Sequence, residues 1–240
     1  MNWLDNVLRG IFERVTAWKR RNLAYTYLSG YGLEIGALHN PLKVPSSAHV
    51  TYIDRMKEDD IRKHYPELSD KKLVPVDIVD DGERLSSIKD ESVDFVIANH
   101  MIEHSENPLL ALQTWTRVLK KHGILYLALP NKHKTFDIDR PVTPIDHLIC
   151  DFKEGPLVSR RRHFEEWVRL VGKTEPGKVE AEVSRLMKMN YSIHYHVWDP
   201  PSFLDLLRFC RKELAYPLLI ERSVVIGFGY EIVVILRKSG

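Results

Sequence analysis

The sequence predicts an α/β protein built on a doubly wound, mostly parallel sheet. Short apolar segments recur along residues 33–129, as expected for strands that are buried on both faces. A helix with clear end signals lies between the last two segments, and the order strand, helix, strand is typical of a parallel sheet. Two further apolar runs flank Gly227 and Gly229 and are too close together to pair in parallel. We therefore expect the sheet to end in an antiparallel hairpin.

The predicted strands follow one another in chain order. They are Leu33–Ile35, His49–Asp54, Lys72–Ile78, Asp94–Ala98 and Ile124–Leu129. Pro75 removes a backbone donor from the third segment, so that strand is predicted to be weak or at an edge.

The helix before the fifth strand has signals at both ends. Asn107 is a favourable N-cap residue, and Pro108 fits the first turn. Positive charge favours the last turn of a helix, and glycine commonly follows it. We therefore predict that this helix continues through Lys120–His122 and ends at Gly123.

Length and composition indicate a globular domain with an insertion. The chain has 240 residues, 44% of them hydrophobic, and a formal net charge of +2. This charge gives no indication of a nucleic-acid partner. Cys150 and Cys210 form no disulfide framework, which favours a reducing compartment. Signal-peptide features and membrane-length apolar runs are missing from the sequence, so we predict a cytoplasmic protein.

Residues 3–28 have the spacing of an amphipathic helix, and we predict that residues 1–29 form an N-terminal helix ahead of a domain at 30–240. Its apolar positions are Trp3, Leu4, Val7, Leu8, Ile11, Phe12 and Val15. One interpretation is a helix that covers the sheet or the active site. The other is an interfacial helix whose basic residues 19–21 make weak contact with a membrane surface.

Residues 131–197 lose the strand pattern and are too long for a plain loop. Apolar residues at helical spacing run from Phe164 to Val171 and again from Val179 to Met187. We predict an inserted helical cap at about 131–197, followed by a helix that begins at Asp199-Pro200.

Polar residues stand at the carboxyl ends of the predicted strands, where open α/β sheets bind ligands. In the segment GLEIGALHNP, Glu34 ends the first strand, and Gly36 lets a ligand approach the backbone closely. Asp54 ends the second strand in the position of a ribose-binding acid. The later strand ends carry Asp81-Gly82 and Asn99-His100. Capping or turn formation explains each residue alone, but their joint placement favours a binding site.

Several of these segments resemble the class I S-adenosylmethionine-dependent methyltransferases, in particular the small-molecule, type 11-like group. The segments are EIGALHN, YID, DIVDDGERLSSIKDESVDFVIANHMIEH and LKKHGILYLALPN, within residues 30–130, and HYHVWDPPSFLDLL with the closing hairpin. The resemblance implies a seven-stranded Rossmann-like sheet with an antiparallel last strand. It also implies S-adenosylmethionine as the cofactor and methyl transfer as the reaction.

The resemblance implies a set of cofactor-binding residues. They are Glu34, Ile35, Gly36, Ala37, Asp54, Arg55, Asp81, Gly82, Asn99 and His100. Glu34 matches the acid that organises the loop beside the methionine ammonium group. The sequence departs from the family at Leu38 and Asn40, where further glycines are usual. Because asparagine tolerates the left-handed region, we expect Asn40 to make the turn.

Histidines and charged residues of the cap are candidates for the acceptor site. His194 and His196 alternate in the strand-like YSIHYHVW, so we expect them to point to one face. One interpretation is that they act as bases or as hydrogen-bond partners of the substrate. A second is that they are ordinary strand residues. A third is that they bind a metal together with Asp146 or His147, although sequence spacing alone is weak evidence for a metal site. We predict that His147, His194 and His196 are catalytic and that no metal is bound. The predicted substrate-binding residues are His104, Arg140 and Asp146.

These features predict a methyltransferase that acts on oxygen in a small-molecule or glycan acceptor, because a histidine base suits a hydroxyl nucleophile. One rival is a non-catalytic binding or scaffold protein, which the intact Gly36 and Asp54 argue against. The other is a nicotinamide-dependent oxidoreductase. The sequence lacks the G-x-G-x-x-G that would seat a pyrophosphate in such an enzyme.

Overall fold

The computed structural model describes residues 3–240, apart from the side chains of residues 3–9 and of Ile11. The strands are β1 Gly30–Ile35, β2 Ala48–Asp54, β3 Ile78–Val79, β4 Val93–Asn99, β5 Leu119–Pro130, β6 Leu218–Ile226 and β7 Glu231–Lys238. The α-helices are α1 Trp3–Tyr27, α2 Glu58–His64, α3 Pro108–Val118, α4 Ile145–Glu154, α5 Leu157–Leu170, α6 Val179–Lys188 and α7 Pro200–Glu213.

The strands form one sheet in the order β3-β2-β1-β4-β5-β7-β6. β1 pairs in parallel with both β2 and β4, and β4 pairs in parallel with β5. β7 runs antiparallel to β5 and to β6. The predicted fold class, including the antiparallel hairpin, is confirmed. Because the strand order reverses between β1 and β4, the ligand-binding switch point of such a sheet lies at their carboxyl ends.

Helices cover the two faces of the sheet. Trp115 of α3 and Phe203 of α7 belong to the apolar core on one face. Ala24, near the end of α1, packs with Phe95 and Tyr126 on the other face. α1 therefore packs on the sheet, as one of its two interpretations expects.

The predicted apolar stripe of α1 is described only in part. Phe12 stacks on Phe228 with ring centroids 6.0 Å apart. Trp3, Leu4, Val7, Leu8 and Ile11 have side chains outside the described part of the structure. Within residues 3–240, none of the helices combines the length and apolar character needed to cross a membrane.

The third strand is much shorter than predicted. β3 contains only Ile78–Val79, whereas Leu73 and Val76 are buried in a separate apolar cluster beside α2. These residues are apolar because they fill that cluster, so the apolar run did not mark a strand over its whole length.

The end of α3 also differs from the prediction, because the helix stops at Val118 and does not include Lys120–His122. The backbone N–H groups of Glu91 and Ser92 donate to the carbonyls of Arg117 and Val118, at 3.0 and 2.9 Å. These long-range bonds satisfy the final helix carbonyls, and the chain enters β5 at once.

The predicted cap segment contains three helices, α4, α5 and α6. The two predicted apolar stripes fall on α5 and α6, which share a small core that includes Phe164 and Val183. Residues 191–197 are not a strand, so that prediction is wrong. The N–H groups of Tyr195 and His196 both donate to the carbonyl of Glu103, at 2.8 and 3.3 Å, and not to a neighbouring strand.

Candidate active site

A cavity of about 780 Å³ opens at the carboxyl ends of β1, β2 and β4. Its sheet side includes Ile35, Gly36, Asp54, Arg55, Asp81, Gly82 and His100 from the predicted cofactor set. Pro156, Asn190, Tyr191, Ser192 and Tyr195 line it from the cap. The cavity therefore lies between the switch point of the sheet and the predicted cap.

Glu34 lies behind the cavity and is hydrogen-bonded to the loop that follows β1. Its side chain is 1% exposed, and its carboxylate accepts the Leu42 N–H, at 2.9 Å through Oε1 and at 3.2 Å through Oε2. Burial raises the pKa of Glu34 to about 7, although the hydrogen bond from Leu42 acts in the opposite direction. Glu34 and Ala37 do not line the cavity.

Leu38, and not Asn40, takes the left-handed conformation in this loop. Its φ is +50°, which is unfavourable for leucine. The Leu38 carbonyl accepts the Val74 N–H at 2.8 Å, and the side chain packs against the apolar cluster of α2. Packing and hydrogen bonding thus hold the left-handed turn at Leu38.

Asp54 presents a carboxylate to the cavity at the end of β2. Its Oδ1 accepts the Met56 N–H at 3.3 Å. Burial raises the pKa of Asp54, and the backbone N–H groups of Met56 and Arg55 oppose that rise. Because a carboxylate accepts several hydrogen bonds, Asp54 retains capacity for hydroxyl donors.

The turn after β3 is packed tightly into the cavity floor. The Trp115 indole N–H donates to the Gly82 carbonyl at 2.8 Å. A Cβ atom on Gly82 would lie 2.7 Å from Ile35 Cγ2 and 2.8 Å from Met101 Cε. The neighbouring Asp81 is exposed and accepts the Glu83 N–H at 2.9 Å. A glycine is therefore required where this turn meets the end of β1.

His100 lies at the end of β4 between two buried carboxylates. Its Nε2 is 2.7 Å from Glu231 Oε1, and its Nδ1 is 3.2 Å from Glu103 Oε1. Burial lowers the pKa of His100, but hydrogen bonds and charge from both carboxylates outweigh burial and raise it to about 9. His100 also has a φ of +50°, a strained conformation of the kind found at functional sites.

Asn99, beside His100, does not line the cavity. Both polar atoms of its side-chain amide are buried and make no hydrogen bond of ordinary geometry within the described residues, but the amide is close enough to the Glu34 carboxylate to act against the rise in the pKa of that group. Buried amides are normally paired, so this one requires an explanation.

His104 faces the same cavity from the segment after β4. Its Nδ1 lies 2.9 Å from the Ile193 carbonyl and 3.1 Å from Ser192 Oγ. Burial lowers the pKa of His104 to about 4, so the imidazole is neutral at pH 7. Because Nδ1 must carry the hydrogen that the Ile193 carbonyl accepts, Nε2 keeps a lone pair.

The three histidines predicted to be catalytic are not among the residues that line this cavity. His194 Nδ1 lies 2.7 Å from Asp137 Oδ2. His147 and His196 belong to a different group of side chains, with His163 and Asp151. A role as catalytic base stays a prediction for all three, and their positions do not support it.

Two of the predicted substrate ligands also lie away from the cavity lining. Asp146 is exposed on α4. Arg140 is 2% exposed and binds Asp137 and Glu166, with N···O distances of 2.9 and 2.8 Å. The Arg140 guanidinium therefore already has internal partners.

The cavity has further lining residues that the sequence did not reveal. They include Tyr65, Glu83, Arg84, Met101 and Glu106, as well as the cap residues named above. Glu83 accepts the Glu106 N–H at 2.6 Å, and burial raises its pKa to about 7. Glu83 follows Asp81-Gly82 directly, a usable signal, whereas Tyr191 and Tyr195 reach the cavity through tertiary packing alone.

Residues 29–127 match the family model described as "Methyltransferase domain". The match runs from the start of β1 into β5 and includes Asp54, His100 and His104. The search of curated proteins gave no match.

Solved structures with the same fold include several methyltransferases. A SAM-dependent methyltransferase from Aquifex aeolicus has a TM-score of 0.52 at 13% identity, with 97% of each chain covered. The N-methyltransferase NodS from Bradyrhizobium japonicum, in complex with S-adenosylhomocysteine, has a TM-score of 0.50 at 14% identity, with 95% of this chain and 88% of that chain covered. At sequence identities of 13% and 14%, these similarities show a shared fold and nothing more.

Proposed function

We propose that this chain, an S-adenosylmethionine-dependent enzyme with a methyltransferase domain at residues 29–127, transfers the methyl group to an oxygen of a small-molecule or glycan acceptor. The observation that carries the proposal is the cavity, which is continuous from Asp54 on the sheet to Tyr195 on the cap. Such a cavity offers one region for the cofactor and another for an acceptor.

The sheet side of the cavity fits the parts of S-adenosylmethionine. Asp54 would accept hydrogen bonds from the ribose hydroxyl groups, since it lines the cavity at the end of β2. The buried amide of Asn99 and the carboxylate of Glu34 lie near the end of β1, where the methionine part would bind. The cofactor has no phosphate, so the loop needs no glycine-rich anion site. When bound, the cofactor supplies an electrophilic methyl group on a sulfonium, and the chain acts mainly by positioning.

The cap side of the cavity offers polar groups to an acceptor. Tyr191, Ser192 and Tyr195 line it there, and residues with hydroxyl groups suit a sugar or another polyhydroxylated molecule. We assign the base to His104, because it lines the cavity and its Nε2 lone pair is available. With the cofactor bound as methyl donor, His104 would accept the proton that the acceptor hydroxyl loses on methylation.

Calorimetry with S-adenosylhomocysteine tests the cofactor half of the site. We expect Asp54→Ala to weaken binding by about 1–3 kcal/mol, because its hydrogen bonds to the ribose are lost. Asp205→Ala, an exposed carboxylate on α7, is the matched control and should bind like the parent. Undetectable binding of millimolar ligand to the folded parent chain would refute the cofactor site. Unchanged affinity in Asp54→Ala would refute the role of Asp54.

Transfer of a radiolabelled methyl group to a panel of glycosides and matched amino sugars tests the acceptor half. We expect label in the glycosides that lack an amine, with His104→Ala reducing turnover by about 10²–10⁴-fold and leaving cofactor affinity unchanged. Label found only in the amino sugars would contradict transfer to oxygen. Full activity of His104→Ala would exclude it as the base.

A further inference from the structure

Four side chains of the cap meet in a group that the proposed methyl transfer does not use. His147 and Asp151 come from α4, His163 from α5, and His196 from the segment after α6. One potential ligand atom from each residue lies within 4.8 Å of the other three. His147 is half-buried, and the other three side chains are buried.

The distances in this group suit a small tetrahedral ion. His147 Nε2 lies 3.0 Å from His163 Nε2 and 3.1 Å from Asp151 Oδ2, and His163 Nε2 lies 3.8 Å from the same oxygen. With metal–ligand bonds of about 2.0–2.1 Å, tetrahedral ligand atoms are separated by roughly 3.3 Å. The observed separations lie on both sides of this value, so binding requires only small side-chain shifts.

Hydrogen bonding within the described residues leaves this group incomplete. His196 is 0% exposed, yet its Nδ1 has no hydrogen-bond partner there. The buried Asp151 Oδ2 faces His147 Nε2 and His163 Nε2 at 3.1 and 3.8 Å. The facing Nε2 atoms of His147 and His163 can share at most one hydrogen between them. A cation would receive a lone pair from each of the four side chains at once.

Other contacts orient the ligands as outer-shell partners do in metal sites. Ser159 Oγ donates to Asp151 Oδ1 at 2.6 Å, which leaves Oδ2 directed at the histidines. His196 Nε2 lies 3.5 Å from the Glu106 carbonyl, which favours the tautomer with a lone pair on Nδ1.

We propose that His147, Asp151, His163 and His196 bind one divalent transition-metal ion, with Zn²⁺ as the best match to three imidazoles and a carboxylate. Four protein ligands close the coordination sphere, as in structural sites. The ion ties α4 and α5 to the segment that carries Tyr195, which lines the cavity. It therefore fixes the cap wall of the acceptor region. Of the metal ligands considered from the sequence, this site includes His147 and His196 but not His194 or Asp146. The proposal replaces the expectation that no metal is bound.

Metal analysis of untagged, full-length protein tests the site without measuring methyl transfer. The chain is stripped with a chelator, dialysed, reloaded with Zn²⁺ or Co²⁺, and measured by mass spectrometry. We expect about one equivalent per chain, and for Co²⁺ the visible absorption bands of tetrahedral coordination. His163→Gln and His147→Gln should each lose at least tenfold in affinity. His133→Gln removes an exposed histidine elsewhere and should bind like the parent.

Circular dichroism identifies any variant that fails to fold. His147→Gln is included because His147 is only half-buried, so its substitution disturbs the fold less than substitution of a buried ligand. The parent chain alone is decisive if both variants unfold. Less than about one-tenth of an equivalent bound, or Co²⁺ bound without tetrahedral bands, would overturn the proposal. So would parent-like affinity in folded His147→Gln and His163→Gln. None of these readouts depends on cofactor binding or on the acceptor, so this proposal and the proposed function fail separately.

Discussion

His100 Nε2 at the end of β4 lies 2.7 Å from Glu231 Oε1 at the start of β7. The same carboxylate accepts the Arg20 Nε–H of α1 at 2.8 Å through Oε2. Three elements that are distant in sequence therefore meet beside the cavity. Glu231 is 1% exposed, and a buried carboxylate is stable there only because its two partners are cationic.

The His100 pair predicts a loss of stability at alkaline pH. The folded-state pKa of His100 is about 9 and its ordinary value is 6.5, so its contribution is fully present below pH 6.5 and is lost as pH rises through 9. We expect a loss of about 1 kcal/mol, since a third of the side chain is exposed and water screens the pair. Urea denaturation of the parent and of His100→Gln at pH 6 and pH 9.5 measures it. An equal decline in both proteins would contradict the prediction.

Glu34 predicts a second pH effect in a lower window. Burial raises its pKa from 4.5 to about 7, so the folded state holds this proton more tightly than the unfolded chain does. The contribution of Glu34 is fully present below pH 4.5 and is lost as pH rises through 7. Glu34→Gln keeps an acceptor for the Leu42 N–H and should be more stable than the parent at pH 8, by about 1–3 kcal/mol.

Calorimetry on the same variant separates stability from function. If the Glu34 carboxylate organises the cofactor loop, Glu34→Gln binds S-adenosylhomocysteine more weakly although it is more stable. Glu213→Gln, a half-exposed glutamate at the end of α7, is the control for both measurements. Lower stability of Glu34→Gln at pH 8 would show that the buried charge is not costly.

The fold could be predicted from the sequence because its central strands are buried on both faces, and their residues are therefore apolar without interruption. Asp54 and His100 line the cavity, as their positions at strand ends predicted, because strand ends at a switch point have a fixed place in such a sheet. Glu34 lies behind the cavity, and the roles of all three stay predictions. Features that depend on tertiary contacts were not predictable in the same way. The last carbonyls of α3 are satisfied by Glu91 and Ser92, which no local signal of the helix reveals.

Side chains from separate helices were the hardest to place. The sequence predicted that His194 and His196 point to the same face of a strand. In the structure His194 pairs with Asp137, whereas His196 joins His163, with ring centroids 4.7 Å apart. An irregular segment has no alternation of faces, so the period of two did not apply to it.

Trp115 predicts a link between the core and the part of the cavity lined by Asp81 and Gly82. Its buried indole N–H donates to the carbonyl of Gly82, a lining residue. Trp115→Phe leaves that carbonyl unpaired, and we expect a loss of about 1–3 kcal/mol in the free energy of unfolding. Weaker binding of S-adenosylhomocysteine should accompany it, because the turn loses its anchor.

Trp18→Phe is the matched control for this substitution, since Trp18 is 54% exposed on α1. It should leave both the unfolding midpoint in urea and the ligand affinity unchanged. If Trp115→Phe were as stable as the parent and bound the ligand equally well, the hydrogen bond to Gly82 would have no role in shaping the site.

Arg140 provides a test between a structural role and a role in substrate binding. Besides Asp137 and Glu166, its guanidinium donates to the carbonyls of His194 and Tyr195, at 2.8 and 3.1 Å. Arg140→Met leaves the buried Asp137 carboxylate without this partner, and we expect it to lower the free energy of unfolding by about 3–5 kcal/mol. Arg140→Lys keeps the charge but cannot reach all four acceptors, so its loss should be intermediate.

The matched control for Arg140 is Arg208→Met, which removes an exposed arginine paired with Asp205 at 2.7 Å. Exposed pairs contribute roughly 0–1 kcal/mol, so this variant should unfold at nearly the parent's urea concentration. A substrate-binding role for Arg140 predicts the opposite result, namely parent-like stability with a raised KM for the acceptor. Since all its acceptors belong to the chain itself, we expect the loss to appear in stability.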